Sequence, residues 1–240
     1  MKLYEKYHSK RKLQKRVISD DDFTYTTIIG LLRKYIGVES TVLDIGCGVG
    51  TIDFYLGKRG NKVQGIDISK NAILKAKQNA AKLGVERFVK FYVLDFPRER
   101  PKGKFDAIVC SEVLEHLSND KEAVDVISGL VKKNGVVIAS VPSKNAPLYK
   151  IGVLKKFDRE VGHLRRYSDI SFRNLFKHFS ILEIIKTEGV LRNFLYTNSV
   201  GGFMLKVLIR KPFSIVLRIL DNLLVPIFGE SNIFLVARMK

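Results

Sequence analysis

The chain has 240 residues, 46% of them hydrophobic, enough for one domain with a substantial core or one domain with a large insert. Its two cysteines, Cys47 and Cys110, form no C-x-x-C, which excludes a disulfide framework and a zinc knuckle, and MKLYEKYHSKRKLQKR lacks the apolar stretch of a signal peptide. A cytoplasmic, reducing location is therefore expected, and the net charge of +18 points to a polyanion or an anionic surface as a partner.

In chain order, helices are expected at about 22–36, 51–59, 69–83, 119–132 and 168–178. Strands are expected at about 41–45, 62–67, 88–93, 105–110, 135–141, 181–187 and 232–239. Ser69 and Ser168 read as N-caps and Gly84 as a stop. The alternation predicts an α/β fold, a doubly wound and mostly parallel sheet of seven strands with a helical insert between the last two. More than 40 residues separate those two strands, and a connection of that length usually has a function. The expected organisation is a basic arm and helix at 1–40, a core at 41–189, an insert at 190–230 and a last core strand at 231–240.

The first strand runs into VLDIGCGVG at 42–50, with glycines at alternate positions. A dinucleotide fingerprint needs G-x-G-x-x-G, and neither Gly46 nor Gly48 finds a third glycine at the required place. Asp44 before the turn suits a ligand with positive charge rather than a pyrophosphate. Asp67 closes the second strand, 23 positions on, where a carboxylate can accept hydrogen bonds from both ribose hydroxyls, and Asp95 closes the third. Three acids at three successive strand ends form a pattern.

Asp44-Ile-Gly46-Cys-Gly48-Val-Gly50 resembles motif I, D/E-x-G-x-G-x-G, of the class I S-adenosylmethionine-dependent methyltransferases. The resemblance implies a Rossmann-like sheet and an S-adenosylmethionine site made by Asp44, Gly46, Cys47, Gly48, Gly50, Asp67, Ile68, Asp95, Phe96 and Ser111. Asp95 would face the adenine, and S-adenosylhomocysteine would be the product. By analogy with the family, the segment carrying Tyr4, Tyr7 and His8 folds over the cofactor.

Methyl transfer from a sulfonium is an in-line displacement, so it needs mainly placement and exclusion of water, but an oxygen acceptor must also lose a proton. In SEVLEHL at 111–117, Glu112, Glu115 and His116 are spaced to share one face of a helical turn. E-x-x-E-H here is similar to the ubiquinone-type O-methyltransferases, where the cluster is associated with a divalent cation. Three readings stay open: a Mg2+ site of Glu112, Glu115 and His116, His116 as an unassisted base, and a structural role. In EVGHLRRYS at 160–168, His163 and Tyr167 can orient an acceptor or supply a base and Arg165 or Arg166 can meet an anion; the alternative is a loop pinned by a hydrogen-bonded histidine.

The resemblance implies an enzyme that methylates a small-molecule or lipid-like acceptor, at oxygen. An RNA methyltransferase using the basic surface is the alternative, although Cys110-Ser111-Glu112-Val113 stands where base-amino methylases carry [DNS]-P-P-[FYW]. A non-catalytic cofactor-binding subunit is another. The charge excess concentrates in residues 143–240, with 17 Lys+Arg against 7 Asp+Glu. There Lys206, Arg210, Ser214 and Arg218 recur every fourth residue among apolar ones, with Pro212 expected to break or kink the helix. Such a face either packs on the domain or a second subunit as a homodimer, or forms an acceptor lid or peripheral contact with an anionic membrane.

Overall fold

The structure is a computed structural model, and it describes residue 5 and residues 13–19, 22–197 and 213–240, with Tyr196, Thr197, Phe213 and Ser214 described by their backbone only. In chain order the elements are α1 (Thr26–Tyr35), β1 (Thr41–Ile45), α2 (Thr51–Lys58), β2 (Lys62–Asp67), α3 (Lys70–Leu83), β3 (Val89–Val93) and β4 (Phe105–Ser111). A single 3-10 turn (Leu114–His116) precedes α4 (Asp120–Leu130), β5 (Val131–Pro142), α5 (Pro147–Lys150), α6 (Leu154–Val161) and α7 (Asp169–Leu175). The chain then forms β6 (Phe179–Thr187), α8 (Val190–Thr197), α9 (Phe213–Phe228) and β7 (Asn232–Met239).

The seven strands lie in the order β3-β2-β1-β4-β5-β7-β6. The pairs from β3 to β5 are parallel, and β7 runs antiparallel to both β5 and β6. Apolar side chains alternate across the sheet. Leu43, Ile45 and Ile108 pack with α4 and α7 on one face, whereas Val42, Val63 and Val109 pack with α1, α2 and α3 on the other. Both faces are covered, which is why the strands are almost continuously apolar. The expected caps form: Ser69 Oγ accepts the Ala72 N–H, Ser168 and Ser171 make a capping box, and Gly84 ends α3 in the left-handed region.

Strand order reverses between β1 and β4, and ligands of open α/β sheets bind outside the carboxyl ends at such a point. Among the described residues, the helical insert between the last two strands contains α8 and α9. Lys206, Arg210 and Pro212 lie outside the described residues, as does the Ser214 side chain, so the stripe and the break expected there are not described. Two helices that the periodicity did not predict, α5 and α6, follow β5 and lead into EVGHLRRYS.

Candidate active site

At the reversal point the β1 turn is stitched to the end of β2. Gly46 and Cys47 donate their N–H groups to the Ile66 carbonyl at 2.8 and 3.0 Å, and Gly48 N–H donates to Asp67 Oδ2 at 2.9 Å. The other Asp67 oxygen accepts Ser69 N–H at 2.8 Å, so the carboxylate is held rigidly beside the turn. Gly46 has φ +71°, and a Cβ there would overlap the Val113 side chain. The second glycine-dependent position is Gly50, with φ +88°, where a Cβ would run into Phe54 and Phe91.

These residues open onto a cavity of about 890 Å³. One end is lined by Asp44, Gly46, Cys47, Gly48, Asp67, Ile68, Asp95, Phe96 and Ser111, so nine of the ten residues expected around a cofactor meet in one place. Gly50 is the exception: it does not line the cavity and serves the packing of α2 against Phe91. Asp44 is buried, and burial together with the neighbouring Asp53 charge raises its carboxyl well above the usual range; burial takes Asp53 to about 7. Cys47 and Cys110 are buried free thiols pushed well up by burial, so neither is a ready nucleophile.

The other end is lined by Glu112, His116, Phe157, Val161, His163, Arg166, Glu188 and Ser231. The expectation that Glu112, Glu115 and His116 share a helical face is corrected here. Glu112 has φ +56° and precedes only one 3-10 turn, so its carboxylate goes a separate way and accepts the Ser140 hydroxyl at 2.8 Å. The ligand atoms that converge belong to Glu115, His116 and His163, all within 4.8 Å of one another. Glu115 Oε1 is 3.8 Å from His116 Nε2 and 3.9 Å from His163 Nε2. The Glu115 side chain is fully buried, and neither carboxylate oxygen has a hydrogen-bond partner among the described residues. Burial and the nearby Glu112 charge hold its carboxyl well above the usual range.

The opposite ring nitrogens of both histidines are tied down. His116 Nδ1 lies 3.1 Å from the Gly162 carbonyl and His163 Nδ1 3.0 Å from Asp158 Oδ1, contacts that place a proton on each Nδ1. Burial, chiefly, lowers His116 to about 4, so it is neutral at pH 7. Asp158 stays ionised, at about 2, because hydrogen bonds from His163 and Arg166 outweigh its burial.

Two expectations fall away in EVGHLRRYS. Tyr167 is 3% exposed, lines no part of the cavity and packs in the core on Phe172, with its hydroxyl donating to Asp120 Oδ2 at 2.7 Å; burial raises its phenol far above the usual value, which removes it as a base. Nor are the arginines available to an anion. Arg165 meets Asp120 at 3.0 Å, and Arg166 clamps Asp158 through two bonds of 2.8 and 2.6 Å. The sequence reading missed Glu188 and Ser231. No motif surrounds them, and only the position of Glu188 just after the sixth strand was a signal. Tyr4, Tyr7 and His8 lie outside the described residues, but Glu5 accepts the Lys70 N–H at the start of α3 at 2.7 Å.

The methyltransferase-domain family matches residues 36–177, which contain the glycine turn, all three strand-end acids and both histidines of the cluster. The chain belongs to that family. It is similar to the ubiquinone biosynthesis O-methyltransferases of Alkalilimnicola ehrlichii, 34% identical over 113 residues, and Chromobacterium violaceum, 36% identical over 114. Each match covers 47% of this chain and 46% and 49% of those proteins, so the likeness spans about half the length of the curated relatives. The same fold is seen in coclaurine N-methyltransferase bound to N-methylheliamine and S-adenosylhomocysteine, with a TM-score of 0.66 and 14% identity over 89% of this chain and 72% of that one. It is seen again in the N-methyltransferase NodS of Bradyrhizobium japonicum with S-adenosylhomocysteine, with a TM-score of 0.62 and 16% identity over 98% of both chains.

Proposed function

We propose that the protein transfers a methyl group from S-adenosylmethionine to a hydroxyl of a small-molecule or lipid-like acceptor. The observation that carries this reading is a single cavity with the glycine turn, Asp67 and Asp95 at one end and neutral imidazole at the other. Asp67 would accept the ribose hydroxyls, Asp95 the adenine amino group, and Asp44 would ionise beside the cofactor's ammonium. The acceptor oxygen attacks the methyl carbon in line, the carbon–sulfur bond breaks with its electron pair going to sulfur, and His116 Nε2 takes the hydroxyl proton.

Glu115, His116 and His163 also fit a divalent ion, because a buried carboxylate with no hydrogen-bond partner among the described residues faces the Nε2 atoms of two imidazoles whose far sides are anchored. Two nitrogens and one oxygen suit a first-row transition ion better than the Mg2+ expected from the sequence, which prefers an all-oxygen shell. When bound, the ion would supply Lewis-acid charge to an acceptor hydroxyl. The relatives' name supports oxygen as the methylated atom. An RNA acceptor finds less support, since carboxylates at the far end of the cavity oppose a phosphate chain.

The test is incubation with methyl-labelled S-adenosylmethionine and fractionated lipid, metabolite, protein and RNA extracts. Label is expected in the lipid or metabolite fraction, and label confined to RNA overturns the reading. In calorimetry Gly46→Arg and Asp67→Ala should each weaken S-adenosylhomocysteine binding by at least about tenfold, as expected for loss of a close approach or a charged hydrogen bond. Turnover stimulated by Mn2+ or Zn2+ and lost in Glu115→Gln selects the ion-assisted route.

A further inference from the structure

The far end of the cavity has the opposite sign to the chain around it. Glu112 and Glu188 both line it; burial raises the Glu188 carboxyl to about 7, with Arg192 opposing the rise and the nearby Glu112 charge adding to it. Their backbones have φ of +56° and +65°, making them two of four non-glycine residues in the left-handed region among those described. Glutamate has no intrinsic preference for that region, so the surrounding structure holds both acids in place against it, a pattern that clusters at ligand-binding sites.

Arg166 and Arg192 stand near enough to favour the charged forms of Glu112 and Glu188 respectively, but neither gives these acids a hydrogen bond among those described, and Arg192 binds Asp221, Thr187 and Asn222 instead. Arg166 is spent on Asp158, and Arg98, the remaining lysine or arginine in the described lining, stands beside Asp95 at the cofactor end. Asn232 Nδ2 donates to Glu188 Oε2 at 2.7 Å and fixes the carboxylate. A second, independent feature points to a ligand at the same place. Ser231 is 5% exposed and lines the cavity, and its Oγ has no hydrogen-bond partner among the described residues. A buried hydroxyl left without a partner is costly unless a bound molecule supplies one.

We propose that Glu188, with Glu112 and Ser231, binds a hydrogen-bond-donating head of the methyl acceptor, a hydroxyl or an ammonium, and turns away carboxylate and phosphate heads. This rests on reading the cavity as a methyltransferase site. The basic surface and the acidic pocket then act in opposite senses: polyanions gather outside, while the acceptor that enters carries no negative charge at this end. The head bound here need not be the methylated atom.

The probes are benzyl alcohol, benzylamine and benzoate, which share one ring and differ in the head, titrated into the full chain saturated with S-adenosylhomocysteine and followed by amide NMR shifts. At least one of the two donors is expected to bind about tenfold more tightly than benzoate, the size of effect expected when a charged hydrogen bond is exchanged for like-charge contact. The better of alcohol and amine identifies the head. Glu188→Gln should bring the three probes to within about threefold, and Ser231→Ala should weaken the preferred donor by at least about threefold, with S-adenosylhomocysteine affinity unchanged in both. Benzoate binding at parity, no binding of either donor, or a preference that survives Glu188→Gln overturns the proposal. Should Glu188→Gln fail to fold, the wild-type ranking and Ser231→Ala decide. Failure of the wild type to bind S-adenosylhomocysteine is a separate result that removes the methyltransferase reading itself.

Discussion

Asp106 shows how one side chain holds the sheet below the site. It accepts Thr41 N–H at 2.9 Å, the Thr41 hydroxyl at 2.6 Å and Lys132 Nζ at 2.9 Å, linking the starts of β1, β4 and β5. Burial opposes its charge, but the bonds from Thr41 and Lys132 outweigh it and lower the carboxyl to about 2 from its ordinary 3.8. A group depressed in the folded state stabilises the fold above its unfolded value and loses that contribution as pH falls towards its folded one. Asp106→Asn should therefore melt below the wild type at pH 5, with the gap closing between pH 3.8 and about 2. A gap that is constant over that range would refute the account. That Asp44, Asp67 and Asp95 line one cavity was legible in the sequence because each stands at or just past the end of an apolar run, which parallel strands bring to the same edge of the sheet. Tyr167 and Gly50 were misread for the same physical reason as each other: a phenol or glycine beside a motif has the same sequence signature whether it faces a cavity or fills a core. Glu188 went unread, because its one signal, a place just after a strand, carries no periodicity.

At the scale of elements, α8 and α9 are joined by buried charge. Asp221 of α9 accepts the N–H groups of Gly189, Leu191 and Arg192 at the start of α8, as well as Arg192 Nε at 2.7 Å. Arg192 and Asp221 side chains are 1% and 0% exposed, and the guanidinium also reaches Thr187 and Asn222. Removing one partner of a buried pair strands the other, at a cost of about 3–5 kcal/mol. Asp221→Ala should lose that much in urea unfolding, and a loss below about 1 kcal/mol would mean that the pair is dispensable. The sequence reading did not find this anchor, since one aspartate among leucines carries no periodicity. It missed α5 and α6 because APLYKIGVLKKFDREVG spreads its few apolar residues without a sustained helical stripe. The error at 112–116 was subtler. An i, i+3, i+4 spacing implies a shared face only when the helix begins early enough, and here the left-handed Glu112 stands outside the turn.

For the whole molecule, the sign and location of charge were legible directly, and the described residues give that charge an apolar companion. On α9, Val216, Ile219, Leu220, Leu223 and Ile227 are 50–73% exposed, and among the described residues no helix is long and apolar enough to cross a membrane. Exposed apolar side chains on a strongly basic chain fit the peripheral bilayer contact proposed for a lipid-like acceptor. The protein should co-sediment with anionic vesicles at low salt and release as salt rises, and Leu223→Asp with Ile227→Asp should abolish binding while S-adenosylhomocysteine affinity is kept. Full binding by the double variant, or a dimer interface formed by α9, would return that face to structural packing. The sheet itself sets one further condition, on the order of events. β7 lies between β5 and β6, and among the described residues β6 has no other neighbour in the sheet. During synthesis, Phe179–Thr187 thus emerges with nothing to pair with and must wait for Asn232–Met239, 44 residues later. Glu188 and Ser231 flank those two strands. The Glu188 and Ser231 side of the pocket can therefore be completed only once β7 has paired, whereas the turn that would hold the cofactor needs strands made much earlier.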